Sequence, residues 1–316
     1  LVVVPGLRSL PILRKLRYVT ERPQRLREIL SRVEVLIVPS QNTYNIFVQN
    51  GVRAQRMLLL GFGLALPPEI HIHKKPSKTL RLSYIGTLDH AKGVHVLLEA
   101  FQHLANQEAL ELTVYGDSRH YPDYYRRLQE LAGADRRIKF AGTFPNEQIG
   151  RVLSEIDLLV IPSLWHENSP LVLHSAFATK TPVLVSNIGS LADAVQHGEN
   201  GLVFEMSNSE DLARQIEQVL ADRTLLEKLR QGIPPVKTMN QNVQELLEIY
   251  AALATHAGVT EPKMEATSLA KWLRAVSSSS SAFETRLSLF ERATLNSASR
   301  FHAARFDDWL ELCRCG

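Results

Sequence analysis

Cysteine is almost missing from this chain: of 316 residues only Cys313 and Cys315 carry a thiol, one residue apart near the far end. They build neither a disulfide framework nor a C-x-x-C pair, which points away from a bridge-stapled secreted fold and toward a reducing compartment. Long apolar runs are lacking too. The longest charge-free one, Met57 to Pro68, is interrupted by glycines and two prolines and is too short to span a bilayer. Leu1 to Val4 show no charged start and no apolar core of a secretory leader, and a chain opening on Leu reads as lacking its own beginning. The net charge of +3 is too small to argue for nucleic acid. What remains, 45% hydrophobic and 22% charged residues, is the composition of a soluble globular protein with room for two ordinary domains. The expected location is cytoplasmic.

Residues 1–32 are basic, with Arg22, Arg25, Arg27 and Arg32 among eight cations that stand against only Glu21 and Glu28. Such a run suits a solvated helix face, or a patch touching the anionic headgroups of a membrane's cytoplasmic face. Val33 to Val38 predicts a strand, Asn42 to Gln49 a helix closed by Asn50-Gly51, and Met57 to Leu60 a second strand. His71 to Ser77 reads as a polar linker carrying Lys74 and Lys75, which sets a domain boundary at residue 77.

From Leu80 onward, short apolar strands alternate with amphipathic helices. Strands are expected at Leu80–Ile85, Leu110–Tyr115, Ile138–Ala141, Ile156–Ile161, Val183–Ser186 and within Gly198–Phe204. A long helix is expected over Asp211–Gln231, capped by Asn208 or Ser209. This rhythm predicts an α/β fold, a parallel sheet covered by helices on both faces, over residues 78–233. Pro234-Pro235 breaks the pattern, a helix around Val243–Leu253 follows within residues 234–257, and the tail 258–316 shows no strand pattern.

The stretch Ile156 to Lys180 carries the strongest functional signal. A nearly all-apolar strand stops at Pro162-Ser163, and a polar turn then holds Trp165, His166, Glu167 and Asn168. Ser169 reads as an N-cap and Pro170 as the first helical residue, with Leu171, Leu173 (or Val172), Ala176 and Phe177 as the buried face. Glu167 thus falls at the C-terminal mouth of a parallel strand, beside a helix N-terminus, where open α/β sheets bind ligands. Taken alone, Glu167 suits equally a carboxylate that complements the helix dipole. The loop Gly86 to Gly93 leaves the sheet at the same edge. There Lys92 places an ammonium at a helix start, a position unfavourable to a cation unless an anion joins it. The loop after Ala141-Gly142-Thr143 is the third. No P-loop or G-x-G-x-x-G is present, which argues against a dinucleotide dehydrogenase. A cation, a glycine turn, a helix N-terminus and a carboxylate together suit a diphosphate joined to a hydroxyl-rich group, as in a nucleotide-sugar.

Five segments, Y-I-G-T-L-D-H-A-K-G, F-A-G-T-F, P-S-L-W-H-E-N-S-P-L-V-L-H-S-A-F-A, T-P-V-L-V-S-N-I-G-S and G-E-N-G-L-V-F, occur in one order. In order and spacing they resemble the donor domain of family 4 glycosyltransferases with the GT-B fold, over about residues 24–255. The resemblance implies two facing Rossmann-like domains. Residues 1–77 would be the remnant and hinge of an incomplete acceptor domain, and the helix near Val243 would cross back onto it. It implies that Lys92 binds the donor diphosphate, Glu167 holds hydroxyls of the transferred sugar, and the N–H groups of Ser169, Leu171 and Val172 neutralise leaving phosphates. Gly86, Thr87, Thr143, Asn168 and Ser175 complete the implied donor site. The implied chemistry is sugar transfer with retention from a UDP- or GDP-linked donor, without metal or other cofactor, to a glycan, lipid-linked or small acceptor.

Four positions depart from the family pattern. Thr87 stands where the family usually has Arg, Ser175 where a second Glu holds the ribose, and Lys180 and Ser190 where glycines are common. They leave open a non-catalytic relative that serves as a binding partner, and more remotely a nucleotide-sugar epimerase of the same fold.

Overall fold

Short runs of apolar residues separated by amphipathic segments leave the backbone one economical arrangement, parallel strands buried on both faces. The structure is a computed structural model and describes residues 11–65, 74 and 77–256. The chain forms two compact units, residues 1–247 and 248–316. Of the second, only the helical residues 248–256 are described. The tail at 258–316, with Cys313 and Cys315, lies outside the described residues.

The first unit begins with helix α1 (Pro11–Leu30), strand β1 (Leu36–Val38), helix α2 (Gln41–Gln49) and strand β2 (Met57–Leu59). β1 and β2 pair in parallel as a two-stranded sheet. The main sheet holds β3 (Leu80–Ile85), β4 (Leu110–Tyr115), β5 (Ile138–Gly142), β6 (Leu158–Ile161), β7 (Val183–Ser186) and β8 (Gly201–Phe204). All pair in parallel, in the order β5-β4-β3-β6-β7-β8. The chain therefore winds outward from β3 to one edge, returns, and winds outward from β6 to the other. The crevice above the ends of β3 and β6 is the switch point of a doubly wound sheet.

Helices α3 (Val94–His103), α4 (Pro122–Ala132), α8 (Ser209–Ala221) and α9 (Thr224–Gly232) cover one face. They pack with Leu82, Leu112, Leu158 and Leu184. Helices α5 (Ile149–Ser154), α6 (Leu171–Ala178) and α7 (Gly189–Ala194) cover the other with Leu159, Ile161, Val183 and Val185. Alternate residues of β6 thus feed opposite cores, which is why that strand reads as a continuous apolar run.

Several expectations need correction. The helix expected over Asp211–Gln231 is two, because Asp222 Oδ1 accepts from Thr224 N at 2.9 Å and Thr224 Oγ1 at 2.6 Å, ending α8 and starting α9. Of its two candidate caps, Asn208 is the one used. The strand expected from Val33 begins at Leu36, and that from Ile156 begins at Leu158. Asp157, just before β6, is instead taken by Arg81, with Nη2–Oδ1 at 2.8 Å. Helix α10 (Met239–His256) starts four residues before Val243. Thr238 and Gln241 close a reciprocal capping box there, a T-x-x-Q cue present in the sequence. Lys74, expected in a polar linker, buries its ammonium against Leu153 O and Thr181 Oγ1. Burial, and then Arg230, push its pKa down to about 7. Among the described residues no helix is long and apolar enough to cross a membrane.

One glycine fixes how the β3 loop meets β6. Gly93 sits at φ +68°, and a Cβ there would fall 1.9 Å from the carbonyl oxygen of Pro162. Gly142, at φ +69°, has open space around it. Gly93→Ala is expected to cost about 4 kcal/mol or more, lowering Tm by about 10 °C. Gly142→Ala should cost about 1 kcal/mol, or 2–4 °C. Equal falls in thermal melts would show that the backbone at Pro162 yields.

Candidate functional site

The loops after β3, β4, β5 and β6 enclose a cleft of about 650 Å³ over the switch point. Its wall from β3 is Tyr84, Gly86, Thr87 and Lys92; from β4, Tyr115, Gly116 and Asp117; from β5, Gly142, Thr143, Phe144 and Asn146. The β6 side adds Ser163, Glu167, Ser169, Leu171, Val172 and Ser175.

Local hydrogen bonds make these loops rigid. Asp89 caps a single turn at His90–Lys92 by accepting from Ala91 N at 2.7 Å. Ala91 O then accepts from Leu164 N at 2.8 Å, tying the β3 loop to the β6 loop. Tyr84 donates from its hydroxyl to Thr87 O at 2.7 Å, and burial pushes its pKa well up, so it stays neutral. On the far side Ser190 Oγ donates to Glu167 O at 2.5 Å, while Gly189, at φ +54°, lets the backbone pass close to His166.

Across the switch point Lys92 Nζ meets Glu167 Oε1 at 2.5 Å, and Ser163 Oγ donates to the same oxygen at 3.1 Å. An ammonium has three donors, so Lys92 keeps protons for a second acceptor while bound to Glu167. Asp117 is held well below the usual carboxylate range by bonds from the Arg119 guanidinium and main chain. Among the described residues the charged side chains lining the cleft are one cation, Lys92, and two carboxylates, Asp117 and Glu167. Tyr115 and Phe144 meet edge to face, ring centroids 5.2 Å apart, within that lining. Among the described residues no three His, Cys, Asp or Glu side chains are grouped as metal ligands.

Helix α6 departs from its expected start. The N-cap is Pro170, at φ −65° and ψ 118°, and it caps with no side chain. Ser169 Oγ instead lies 2.7 Å from His174 Nε2. The first amide turned back into the helix is Leu173 N, to Pro170 O at 3.1 Å. The amides of Ser169, Leu171 and Val172 meet no acceptor among the described residues, as expected of an uncapped first turn. Leu171, expected in the core, is 58% exposed, because the buried stripe runs through Leu173, Ala176 and Phe177. Ser175 lies toward the cleft, its hydroxyl donating to Leu171 O at 3.0 Å.

Nine of the ten residues expected at the site, Gly86, Thr87, Lys92, Thr143, Glu167, Ser169, Leu171, Val172 and Ser175, line this one cleft. Asn168 does not; it is exposed at the tip of the loop. Sequence reasoning missed Tyr84, Tyr115, Asp117, Phe144, Asn146 and Ser163. Asp117, in the Gly-Asp pair directly after a strand, was open to the same edge-of-sheet argument as Glu167. Tyr84 and Tyr115 sit inside apolar strands, where nothing separates a lining residue from a core one.

The family model for glycosyl transferases group 1 matches residues 68–276. The D-inositol 3-phosphate glycosyltransferase of Corynebacterium aurimucosum is 29% identical over 153 residues, covering 46% of this chain and 36% of that protein. Its counterpart from Nocardia farcinica is 29% identical over 213 residues, covering 61% and 47%. The chain thus spans less than half the length of these relatives. Among solved structures, Anabaena Alr3699/HepE in complex with UDP and glucose superimposes with a TM-score of 0.60 at 21% identity, covering 69% of this chain and 63% of that one. Sucrose-phosphate synthase from Thermosynechococcus elongatus does so with 0.63 at 24%, covering 75% and 62%. At these identities the likeness is one of fold.

The Lys92–Glu167 pair generates a stability cycle. Removing the cation leaves a carboxylate that is only 15% exposed. Lys92→Ala is expected to cost about 1–2 kcal/mol, and adding Glu167→Gln should recover most of it. Additive losses in urea unfolding would mean that the pair carries no coupling.

Proposed function

The chain belongs to the glycosyl transferases group 1 family, and from that premise we propose that its cleft takes a nucleotide-diphosphate sugar. The sugar passes to an acceptor hydroxyl with retention at the anomeric carbon, and no metal is required. The observation that carries this reading is the meeting of Lys92 and Glu167 across the switch point, beside the unpaired amides of α6. Lys92 and the amides of Leu171 and Val172 are the donors for the diphosphate. They stabilise the charge that grows on its oxygen as the bond to the sugar breaks. Glu167 is left as an acceptor for sugar hydroxyls. The acceptor oxygen bonds to the anomeric carbon, the diphosphate leaves with the electron pair, and the acceptor's proton goes to the departing phosphate oxygen. Gly142 and Thr143, with the Tyr115–Phe144 pair, line the same cleft and are the groups this reading assigns to the base.

A second reading, a non-catalytic binding subunit, has two specific observations in its favour: Thr87 supplies no cation, and Ser175 no carboxylate for a ribose. Titration with UDP, GDP, UDP-glucose and GDP-mannose, followed by assay for release of nucleoside diphosphate, separates the two. Binding with release, unchanged by EDTA and giving product of the donor's anomeric configuration, supports the transferase. Binding without release under any acceptor favours the subunit, and no binding by any of the four overturns the site. A charge-assisted hydrogen bond is worth about 1.5–3 kcal/mol, so Lys92→Ala should weaken nucleoside-diphosphate binding about 10- to 100-fold. Nucleoside affinity should stay unchanged. Equal loss for both ligands would remove Lys92 from the phosphate site.

Ser175 gives a test in the opposite direction. It lies five residues beyond Pro170, about 7.5 Å along the helix from the diphosphate end. It faces the cleft rather than the core. Ser175→Glu adds an acceptor for two ribose hydroxyls and should tighten nucleotide binding about fivefold or more, with Tm changed by less than about 2 °C. A folded variant that binds no better would show that the ribose lies elsewhere.

A further inference from the structure

One pair of side chains at the cleft wall is not used by the donor reading above. Ser169, which lines the cleft, and the half-buried His174 meet at 2.7 Å through Ser169 Oγ and His174 Nε2. A hydroxyl has a single proton, and an uncharged imidazole presents one bare nitrogen and one N–H. If Nε2 is bare, Ser169 gives its proton to the ring and turns only lone pairs to the cleft, which repels an anion. If Nε2 carries the proton, it donates to Ser169 Oγ, and the hydroxyl proton is free to point into the cleft. The same two side chains thus make Ser169 an acceptor or a donor, according to which ring nitrogen is protonated.

We propose that His174 is a positioning residue of the cleft: by donating from Nε2 it turns the Ser169 hydroxyl proton toward the diphosphate of a nucleotide-sugar. The inference rests on the donor reading above. Burial alone lowers the pKa of His174, with no charged side chain among its causes. At neutral pH the choice is therefore between two uncharged tautomers, and a ligand anion selects the Nε2–H form without bringing a further charge into the site. A neutral donor matters here because, among the described residues, Lys92 is the one cation lining a cleft that also holds Glu167 and Asp117.

Affinity for UDP-glucose and for GDP-mannose, measured by calorimetry on the full chain, tests the proposal. Ser169→Ala and His174→Leu should each weaken binding of the nucleotide-sugar about tenfold. The double variant should lose no more than either single one, and His174→Gln, whose amide donates at similar reach, should stay within about threefold of the unaltered protein. In parallel, the imidazole nitrogen shifts of His174 in the unaltered protein should move toward the Nε2–H tautomer as ligand saturates, a readout independent of whether any variant folds. Additive losses in the double variant, full affinity in His174→Leu, or a tautomer unmoved at saturation would overturn the role of His174 while the donor reading stands. Failure of the unaltered protein to bind either nucleotide-sugar would overturn both.

Discussion

The site depends on one close approach of backbone to backbone. At Gly93 the loop after β3 runs so near the end of β6 that a Cβ would overlap the carbonyl oxygen of Pro162, and Leu164 N donates to Ala91 O across the same gap. Only a residue without a side chain, and free to take φ +68°, fits there. Because the two loops are fixed to each other at this point, Lys92 on one and Glu167 on the other face across a set distance. The ion pair is then a consequence of the backbone contact, not its cause. Lys92 is 32% exposed and Glu167 15%, so removing one partner costs more than the intact pair contributes over two neutral groups. The loops would hold without it, and the ammonium can turn part of its hydrogen bonding to another acceptor.

Much of this was legible in the sequence because the doubly wound order turns a one-dimensional fact into a spatial one. In such a sheet every strand end reaches the same edge, so Lys92 and Glu167 could be placed together from their positions after strands alone. The strands β3, β4 and β7 fall where apolar runs predicted them. Boundaries failed where a polar side chain competes with the helix for backbone groups. Asp222 cuts one expected helix in two, and Thr238 with Gln241 starts another early. The start of α6 failed for a related reason. Ser169 is a good N-cap by type, but its hydroxyl has a partner five residues on in His174, and no spacing rule foresees that. Leu171 failed because Pro170 rather than Ser169 is the cap, which leaves Leu171 as the first helical residue, on the side away from the core stripe.

Electrostatics limits what the cleft can hold. Among the described residues its lining offers one ammonium against two carboxylates, one of them kept ionised by Arg119. A diphosphate would not be drawn in by net charge. Under the proposed reading its attraction has to come from directed donors: the first-turn amides of α6, the remaining protons of Lys92, and hydroxyls that can be turned toward it. Such donors act over short distances and discriminate by shape, whereas a second cation would act at longer range. Thr87, exposed at the rim with its carbonyl already held by Tyr84, adds no charge to make up the difference.

The four departures from the family pattern divide by what they face. Lys180 stands where glycine is common and does take φ +52°, a left-handed conformation costing about 1–2 kcal/mol for a residue with a Cβ. Its ammonium donates to Ile233 O at 2.6 Å, which offsets that cost. Ser190, the other such position, is buried and uses its hydroxyl to hold Glu167 O. At Lys180 the left-handed backbone is matched by a bond within the chain, and at Ser190, whose φ is not positive, the hydroxyl adds one. Thr87 and Ser175 face the cleft, and their side chains gain no bond across to another element; Ser175 only returns its hydroxyl to Leu171 O in its own helix. Of the first two, Ser190 holds the loop that carries Glu167, while Lys180 ties the end of α6 to Ile233. Thr87 and Ser175, which gain no such bond, change the chemical character of the cleft wall and leave the backbone frame that carries Lys92 and Glu167 as it is.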